Sequence, residues 1–418
     1  MSHDAHPFNP NEGSSSQVRI NVWVVISAAV IMMTVILAPR AMVGILMVFA
    51  AIGMVGLWRG PNRVRAVLAV PGLILVLLSV FFAGWMTLST GWHFSAQGDV
   101  GKALRIVGLF AIGFIALAAP IPPDSRVRQD IVKGLLIGYI IAVILVAAAV
   151  LFVMTGHDVF WGSYFDDPLS TLNSRAVMVS LLLWPILLIL YTSTWIWRAA
   201  LSVTVLVILA LTSSLASFVA ILIGGLGLAC HYFGGRAAVV GVAIVLVLST
   251  VGAPYAMRII VSEQHVSPDV TSDKVQLLPT SARHRLSIWS FVTARIQERP
   301  VLGWGVGAAR SIPKEHTQFA ENMEILPLHP HSLALQTRLE LGVPGVLLLA
   351  AIIAAILLRT SNATADRTQA GTATAALLAW LFIANVSYGM WQNWWIASAF
   401  LIVICIRMCA PTSASAGD

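Results

Sequence analysis

The chain has 418 residues, of which 58% are hydrophobic and only 10% are charged. A soluble chain carries about 25% charged residues, and one with so little polar surface could not cover itself in water but can face lipid. The composition therefore excludes a soluble enzyme and predicts an all-α, polytopic membrane helix bundle. The net charge of +7 does not indicate a nucleic-acid partner, because basic residues of membrane proteins collect in cytoplasmic loops.

Apolar runs recur along nearly the whole chain, and a membrane helix needs roughly 17–25 such residues. About twelve transmembrane helices are predicted, near 22–38, 41–57, 66–90, 103–120, 131–155, 176–194, 199–214, 216–233, 237–253, 342–359, 371–390 and 396–409. The first run has no small-residue cleavage site after it, so we expect a retained helix and not a signal peptide. We divide the chain into an N-terminal bundle of about nine helices (1–253), one long helical loop (254–341) and about three C-terminal helices (342–418).

The distribution of basic residues predicts the orientation. With the N-terminus inside, most arginine and lysine residues fall in cytoplasmic loops, and short outer loops hold only Arg40, Lys102, Arg105 and Arg175. This asymmetry, with an even number of helices, places both termini inside and the long loop outside.

The outer loop is predicted to contain two helices. Residues 287–298 form one, with Ile288, Phe291, Val292 and Ile296 on a single apolar face. Pro300 ends it, and a turn rich in glycine follows. A second helix runs over 331–341, after which Gly342 and Pro344 mark the start of a membrane span.

Three residues are candidates for chemistry. His331 precedes a helix near the membrane face, where an imidazole can exchange a proton near neutral pH, although it could simply cap that helix. Arg285 offers a planar fork that matches phosphate oxygens, or it could be solvated among lipid headgroups. Arg175 opens a membrane span, a costly place for charge that suggests function, with snorkelling to the interface as the alternative.

Other features favour structural roles. Cys230, Cys405 and Cys409 show neither disulfide nor zinc spacing and are predicted to be packed or lipid-facing hydrophobes. The pair Asp166-Asp167 has too few companion ligands for a metal and is read as a solvated loop tip. Trp391-Gln392-Asn393-Trp394-Trp395 suits an aromatic belt at the membrane surface, and stacking on a sugar ring is the alternative.

The sequence around His331 resembles a known motif. His331-Ser332 is followed by nine residues and then by Gly342-Val343-Pro344-Gly345, similar to the histidine, Asn/Ser/Gln, nine residues and Gly-x-x-Gly of the O-antigen ligase and O-antigen polymerase superfamily. The block from Arg285 to Trp289, with Pro300 and the glycine turn, is similar to a second family block. The resemblance covers about 282–345 at motif level, and the surroundings of Arg175 match only loosely.

This resemblance implies a membrane glycosyltransferase of the bacterial inner membrane with a periplasmic active site. The donor is a glycan on undecaprenyl diphosphate, and the acceptor of a ligase is the lipid A–core oligosaccharide. Neither ATP nor a nucleotide sugar is used, and we expect no cofactor and no metal.

The resemblance also assigns roles that the chemistry explains. His331 is the expected base for the acceptor hydroxyl, and Arg285 and Arg175 are expected to stabilise the growing charge on the diphosphate. Ser332, Gln336 and Arg338 are possible supporting residues. His329 is a second histidine nearby, and His331 is preferred because Ser332 and the glycine spacing select it. Direct attack at the anomeric carbon predicts inversion.

Three alternatives remain. An O-antigen polymerase uses the same chemistry but more often has two substantial outer loops. A protein O-oligosaccharyltransferase usually carries additional C-terminal sequence. A transporter of lipid-linked glycan belongs to a different class, and the scarcity of ionisable residues within the spans argues against ion-coupled transport.

Overall fold

A computed structural model of the protein describes residues 20–59, 62–93, 99–122, 125–156, 172–212, 214–264, 280–313, 318–320, 323–326, 328–361 and 367–410. In chain order the helices are α1 (Val22–Leu37), α2 (Met42–Arg59), α3 (Arg63–Leu68), α4 (Leu73–Leu88), α5 (Val100–Leu117), α6 (Ser125–Met154), α7 (Asn173–Ile189), α8 (Trp195–Leu211), α9 (Leu215–Gln264), α10 (Thr280–Glu298), α11 (Leu333–Ser361), α12 (Arg367–Val386) and α13 (Asn393–Cys409). Asp166 and Asp167 lie outside the described residues.

Within the described residues, seven helical segments are long and apolar enough to cross a membrane: Pro39–Arg59, Leu73–Trp92, Val100–Leu117, Ser125–Met154, Leu215–Ile260, Leu333–Ser361 and Arg367–Val386. Four shorter helices, α1, α7, α8 and α13, are also apolar. The polytopic membrane bundle expected from the sequence is confirmed. The count of about twelve crossings is supported in part, because the four shorter apolar helices have only 16 or 17 residues, near the lower limit for a membrane span.

The longest helix, α9, contains two of the spans predicted from the sequence. Gly235 has non-helical backbone angles (φ 57°, ψ −151°), which a glycine adopts without a steric penalty. This break separates the predicted spans 216–233 and 237–253. Pro254 was expected to begin the outer loop, yet it lies inside α9, which continues to Gln264. A membrane helix can accommodate a proline when its surroundings satisfy the freed carbonyl.

Helix α7 lies at the centre of the bundle. All residues from Ala176 to Ile186 are buried, so this helix is covered on every side and has no polar face. Its first turn carries Arg175. The guanidinium of Arg175 is therefore held at the first turn of a helix whose following residues are all buried, from Ala176 to Ile186.

A second, smaller apolar cluster lies between α10 and α11. Ile288, Val292 and Ile296 of α10 are buried there against Leu335 and Leu339 of α11. Because these three side chains recur at helical spacing, the predicted apolar face is confirmed. The cluster fixes α10 against the part of α11 that follows His331.

Two details complete the fold. A short antiparallel hairpin pairs β1 (Gln318–Ala320) with β2 (Met323–Glu324), and the all-α expectation missed it because strands this short have no readable alternation. Cys405 and Cys409 are buried with their sulfur atoms 4.0 Å apart, and Cys230 is half-buried. All three are free thiols, and the burial of Cys405 and Cys409 agrees with the predicted packed hydrophobes.

Candidate active site

The glycine motif forms a tight contact between the segment that follows α10 and the bend in α11 at Gly342. Gly342 has a left-handed φ of 65°, and a Cβ there would lie 2.0 Å from the carbonyl oxygen of Val301. The adjacent N–H of Val343 donates to that same oxygen at 2.8 Å. The helix can therefore bend at residue 342 only if the side chain is a hydrogen atom. The motif glycine is explained by backbone packing beside the site.

Glu340, two residues before this bend, is a fully buried hydrogen-bond acceptor. Its Oε2 accepts from the backbone N–H of Gly307 and from Trp391 Nε1, each at 2.6 Å. Its Oε1 accepts from Gln336 Nε2 at 3.1 Å. A carboxylate buried in this way is stable only when its oxygens are satisfied, as they are here. Glu340 thus joins the glycine turn to the segment between α12 and α13.

Gln336 continues this connection. Its Oε1 accepts from the backbone N–H of Met390 at 2.8 Å, so both ends of its side chain are used. Residues 387–392, which we call the α12–α13 loop, are therefore attached to α11 at two points. Ser332 lies one turn earlier on the same helix, and its hydroxyl contacts Asn385 Oδ1 at 3.4 Å. Of the predicted supporting residues, Gln336 therefore contacts this loop, whereas Ser332 contacts Asn385 near the end of α12.

His331 has a conformation that is uncommon for a residue with a side chain. Its φ is 52°, the one positive value among the described residues other than glycine, and this costs roughly 1–2 kcal/mol. Trp289 Nε1 of α10 donates to the carbonyl oxygen of the preceding Pro330 at 2.9 Å. The histidine is therefore held in a strained geometry by α10 from one side.

The α12–α13 loop fixes the tautomer of His331. The ring Nδ1 lies 2.5 Å from the carbonyl oxygen of Ser387. A carbonyl oxygen can only accept, so Nδ1 must carry the proton of the neutral ring. The lone pair is then on Nε2, the nitrogen that is free to accept a proton from a substrate.

The two histidines are held neutral. Burial lowers the pKa of His331 to about 4, the hydrogen bond to Ser387 raises it, and the charge of Arg285 lowers it further. Burial likewise lowers the pKa of His329 to about 3, with contributions from His331 and Arg310. The two rings are 4.2 Å apart, so both could not be charged together at low cost. At neutral pH His331 is an unprotonated base.

Tyr388 connects the two predicted phosphate-binding arginines. Its hydroxyl interacts electrostatically with the guanidinium groups of both Arg285 and Arg175. Burial raises the pKa of Tyr388, although both arginines oppose the shift, so the hydroxyl stays protonated and can donate. The structure therefore brings His331, Arg285 and Arg175 around one tyrosine.

The two arginines are held differently. Arg285 is half-buried on α10, and burial lowers its pKa, yet a guanidinium stays charged in proteins. Arg175 is also half-buried, and its Nε donates to the carbonyl oxygen of Leu37 at 3.2 Å. Both guanidinium groups have the charge and the planar donor geometry that match an oxyanion.

Arg338 is buried, and within the described part of the chain its Nε forms no hydrogen bond. Its predicted role beside His331 stays a prediction. Across the described ranges there is no group of three or more His, Cys, Asp or Glu side chains that could hold a metal ion.

Several residues of the site were not identified from the sequence. Tyr388 and Ser387 lie in a short segment with no local pattern, and Glu340 reads as an ordinary polar residue of a helix. The aromatic-belt interpretation was wrong for Trp391 and Trp395, which are buried within the protein and not at its lipid-facing surface. A carboxylate two residues before a motif glycine was the available signal for Glu340, since a bend at that glycine leaves backbone donors nearby.

Comparison with known proteins agrees with the motif. Residues 169–350 match the sequence model of the family described as O-antigen ligase. The chain is 26% identical over 338 residues to a protein of Rickettsia conorii, and 28% identical over 336 residues to one of Rickettsia prowazekii, with 79% of each chain covered in both comparisons. The names of both relatives describe them as candidate polysaccharide ligases. The resemblance inferred from the histidine and glycine spacing is confirmed.

Proposed function

We propose that this chain, whose residues 169–350 belong to the O-antigen ligase family, transfers a glycan from undecaprenyl diphosphate to the lipid A–core oligosaccharide. The observation that carries the proposal is the position of His331. Its Nδ1 is committed to the carbonyl of Ser387, its Nε2 is a free base, and Arg285 is close enough to affect its charge. A base beside fixed cations is what glycosyl transfer from a diphosphate requires.

The reaction follows from these positions. The acceptor hydroxyl gives its proton to His331 Nε2 while its oxygen attacks the anomeric carbon of the donor sugar. The bond between that carbon and the diphosphate oxygen breaks, and the electron pair leaves with the diphosphate. Arg285 and Arg175 stabilise the new charge, and the Tyr388 hydroxyl can donate to the same phosphate. One displacement inverts the configuration at the anomeric carbon.

The membrane arrangement follows from the basic residues. The bias of arginine and lysine toward one set of loops favours cytoplasmic termini and a periplasmic active site in the bacterial inner membrane. In this orientation the site meets both lipid-linked substrates at the outer face. The diphosphate linkage supplies the leaving group, so neither ATP nor a metal or other cofactor is needed.

The test is transfer by the purified full chain in proteoliposomes, with undecaprenyl-diphosphate-linked glycan and rough lipopolysaccharide, in the presence of a chelator. Wild-type protein should form the ligated product, and His331→Ala and Arg285→Ala should lose at least about 100-fold in rate. Arg258→Ala is the matched control, since this arginine is exposed on α9. A product that retains the donor configuration, or normal turnover in His331→Ala, contradicts the mechanism.

The same assay distinguishes the alternatives. An O-antigen polymerase would lengthen the glycan on the lipid carrier and would not need lipopolysaccharide. A transporter would move the lipid-linked glycan across the bilayer without any transfer product. The relatives' names favour a ligase over a transporter.

A further inference from the structure

A cavity of about 460 Å³ lies next to the histidine pair. Its wall includes four cationic side chains from three parts of the chain: Arg40, Lys102 and Arg105 of α5, and Arg310. His329 also lines it. None of these residues belongs to the proposed diphosphate site of Arg285 and Arg175. The cavity is therefore a basic surface beside that site, and Arg40 is close enough to Arg175 to interact with it electrostatically.

Charge within the wall is not balanced. Glu340 is the one carboxylate among the described lining residues, and its oxygens are already used by Gly307, Trp391 and Gln336. Asp99 lies outside the wall and pairs with Lys102 at 2.5 Å. Arg40, Arg105 and Arg310 form no ion pair with any described carboxylate. Three guanidinium groups with unused donors favour an anionic ligand.

Several other lining residues are neutral and suited to a sugar. Gln392 and Asn393 line it, and the side-chain oxygens of both are buried without a hydrogen bond to any described residue. Buried acceptors of this kind need donors, and sugar hydroxyl groups supply them. Trp391 and Trp394 add aromatic surface to the lining. A lining that combines cations with amides and indoles fits a sugar that carries a charged group.

The cavity reaches the reaction centre through His329. One side of this ring lines the cavity, and its centre lies 4.2 Å from the ring of His331. Gln392 Nε2 contacts His329 Nε2 at 3.2 Å, which ties one of the neutral lining residues to the same ring. A sugar in the cavity would thus lie beside the proposed base, where the attacking hydroxyl has to be.

We propose that this cavity is the acceptor subsite and that Arg105 and Arg310 bind a phosphate or carboxylate group on an acceptor sugar. The inference rests on the proposed function and specifies the substrate chemistry of its acceptor side. The donor is the less suitable occupant, because its diphosphate has Arg285, Arg175 and Tyr388. A subsite for an anionic acceptor explains why arginines line a cavity beyond those that the leaving group requires.

Direct binding tests this assignment without requiring turnover. The purified full chain, without donor, is titrated with rough lipopolysaccharide in three preparations: untreated, dephosphorylated and carboxyl-reduced. Arg105→Gln and Arg310→Gln should each weaken binding of untreated acceptor by about 5- to 20-fold, as the loss of a charge-assisted hydrogen bond does. The loss should disappear with the preparation that lacks the recognised group. Arg310→Lys, which keeps the charge without the planar fork, should fall between.

Arg258→Gln is the control, because it removes a positive charge from an exposed position that does not line the cavity. Equal binding by wild type, Arg105→Gln and Arg310→Gln would overturn the inference. So would an equal loss with all three preparations, or a loss of affinity for the donor and not the acceptor. Failure of the proposed function is a different result: no transfer product from the wild type, whatever these titrations give.

Discussion

Replacing Glu340 by glutamine tests whether buried hydrogen bonds hold the site together. The change is nearly isosteric, but it converts one carboxylate oxygen into an NH2 group. If the remaining oxygen keeps the short bonds to Gly307 and Trp391, the NH2 group faces Gln336 Nε2, another donor. Turning the Gln336 amide over only moves the conflict to the N–H of Met390. Every arrangement leaves at least one buried donor without an acceptor.

The magnitude follows from the bonds that are lost. A hydrogen bond to a charged group contributes about 1.5–3 kcal/mol, so the variant should lose about 2 kcal/mol of stability. For a chain of this length, that lowers the unfolding temperature by roughly 2 °C. The larger effect should be on transfer, because the α12–α13 loop carries the Ser387 carbonyl that holds His331. A misplacement of a reacting group by about 1 Å can reduce rate by roughly 100-fold, and we expect a loss of at least about tenfold.

The assay compares thermal unfolding at a fixed scan rate and single-turnover transfer in proteoliposomes. Glu298→Gln is the matched control, because its carboxylate pairs with Arg295 at the surface and is 45% exposed. Such a pair contributes less than about 1 kcal/mol. If Glu340→Gln unfolds and turns over like Glu298→Gln, the buried acceptor does not position the loop and the reasoning fails.

Three further predictions concern the base, the tyrosine and the motif glycine. Since the pKa of His331 is about 4 in the free protein, the acid limb of the kcat/KM profile should lie near pH 4. The acid limb of the kcat profile should lie at higher pH, because bound diphosphate favours the protonated ring. An acid limb of kcat/KM at pH 6.5 would contradict the effect of burial on this pKa. Tyr388→Phe removes a hydroxyl that can donate a hydrogen bond to the diphosphate. The KM for the lipid-linked glycan should rise about 3- to 10-fold, with kcat within about twofold. Tyr191→Phe, at a half-exposed tyrosine outside the site, should change neither kinetic parameter. In Gly342→Ala the new Cβ meets the Val301 carbonyl oxygen at a left-handed φ, so the folded state should lose roughly 2 kcal/mol or more of stability, measured as lost folded yield. Gly241→Ala, with open space around it, should be neutral or slightly stabilising. Equal folded yields of the two variants would refute the role of packing at Gly342.

The parts of the molecule that follow from local pattern were predictable. Apolar length identified the membrane helices, and the spacing of Ile288, Val292 and Ile296 identified the buried face of α10. Gly235 was already visible as the interruption between two apolar runs. The four shorter helices made the number of crossings harder to fix, because hydropathy does not report how far a helix extends across the bilayer.

The site was predictable only where one segment contains the whole signal. His331 and Arg285 lie in recognisable blocks, whereas Tyr388 and Ser387 act through contacts with residues more than 50 positions away. Glu340 is another case, since its partner Gly307 is 33 residues distant. The basic cavity combines residues 40, 102, 105 and 310, and only the folded chain brings them to one wall. A motif residue can be identified from local sequence, whereas the hydrogen-bond network that positions it becomes visible only in the folded chain.

The central claim is that His331 Nε2 is the base, and replacing this residue by glycine tests it most directly. Glycine accepts the φ of 52° without strain, so His331→Gly should fold and leave a space where the ring was. The variant should lose transfer, and added imidazole should restore part of the single-turnover rate in a saturable way, with no such effect on Arg285→Ala. Undiminished transfer by His331→Gly without imidazole would contradict the account.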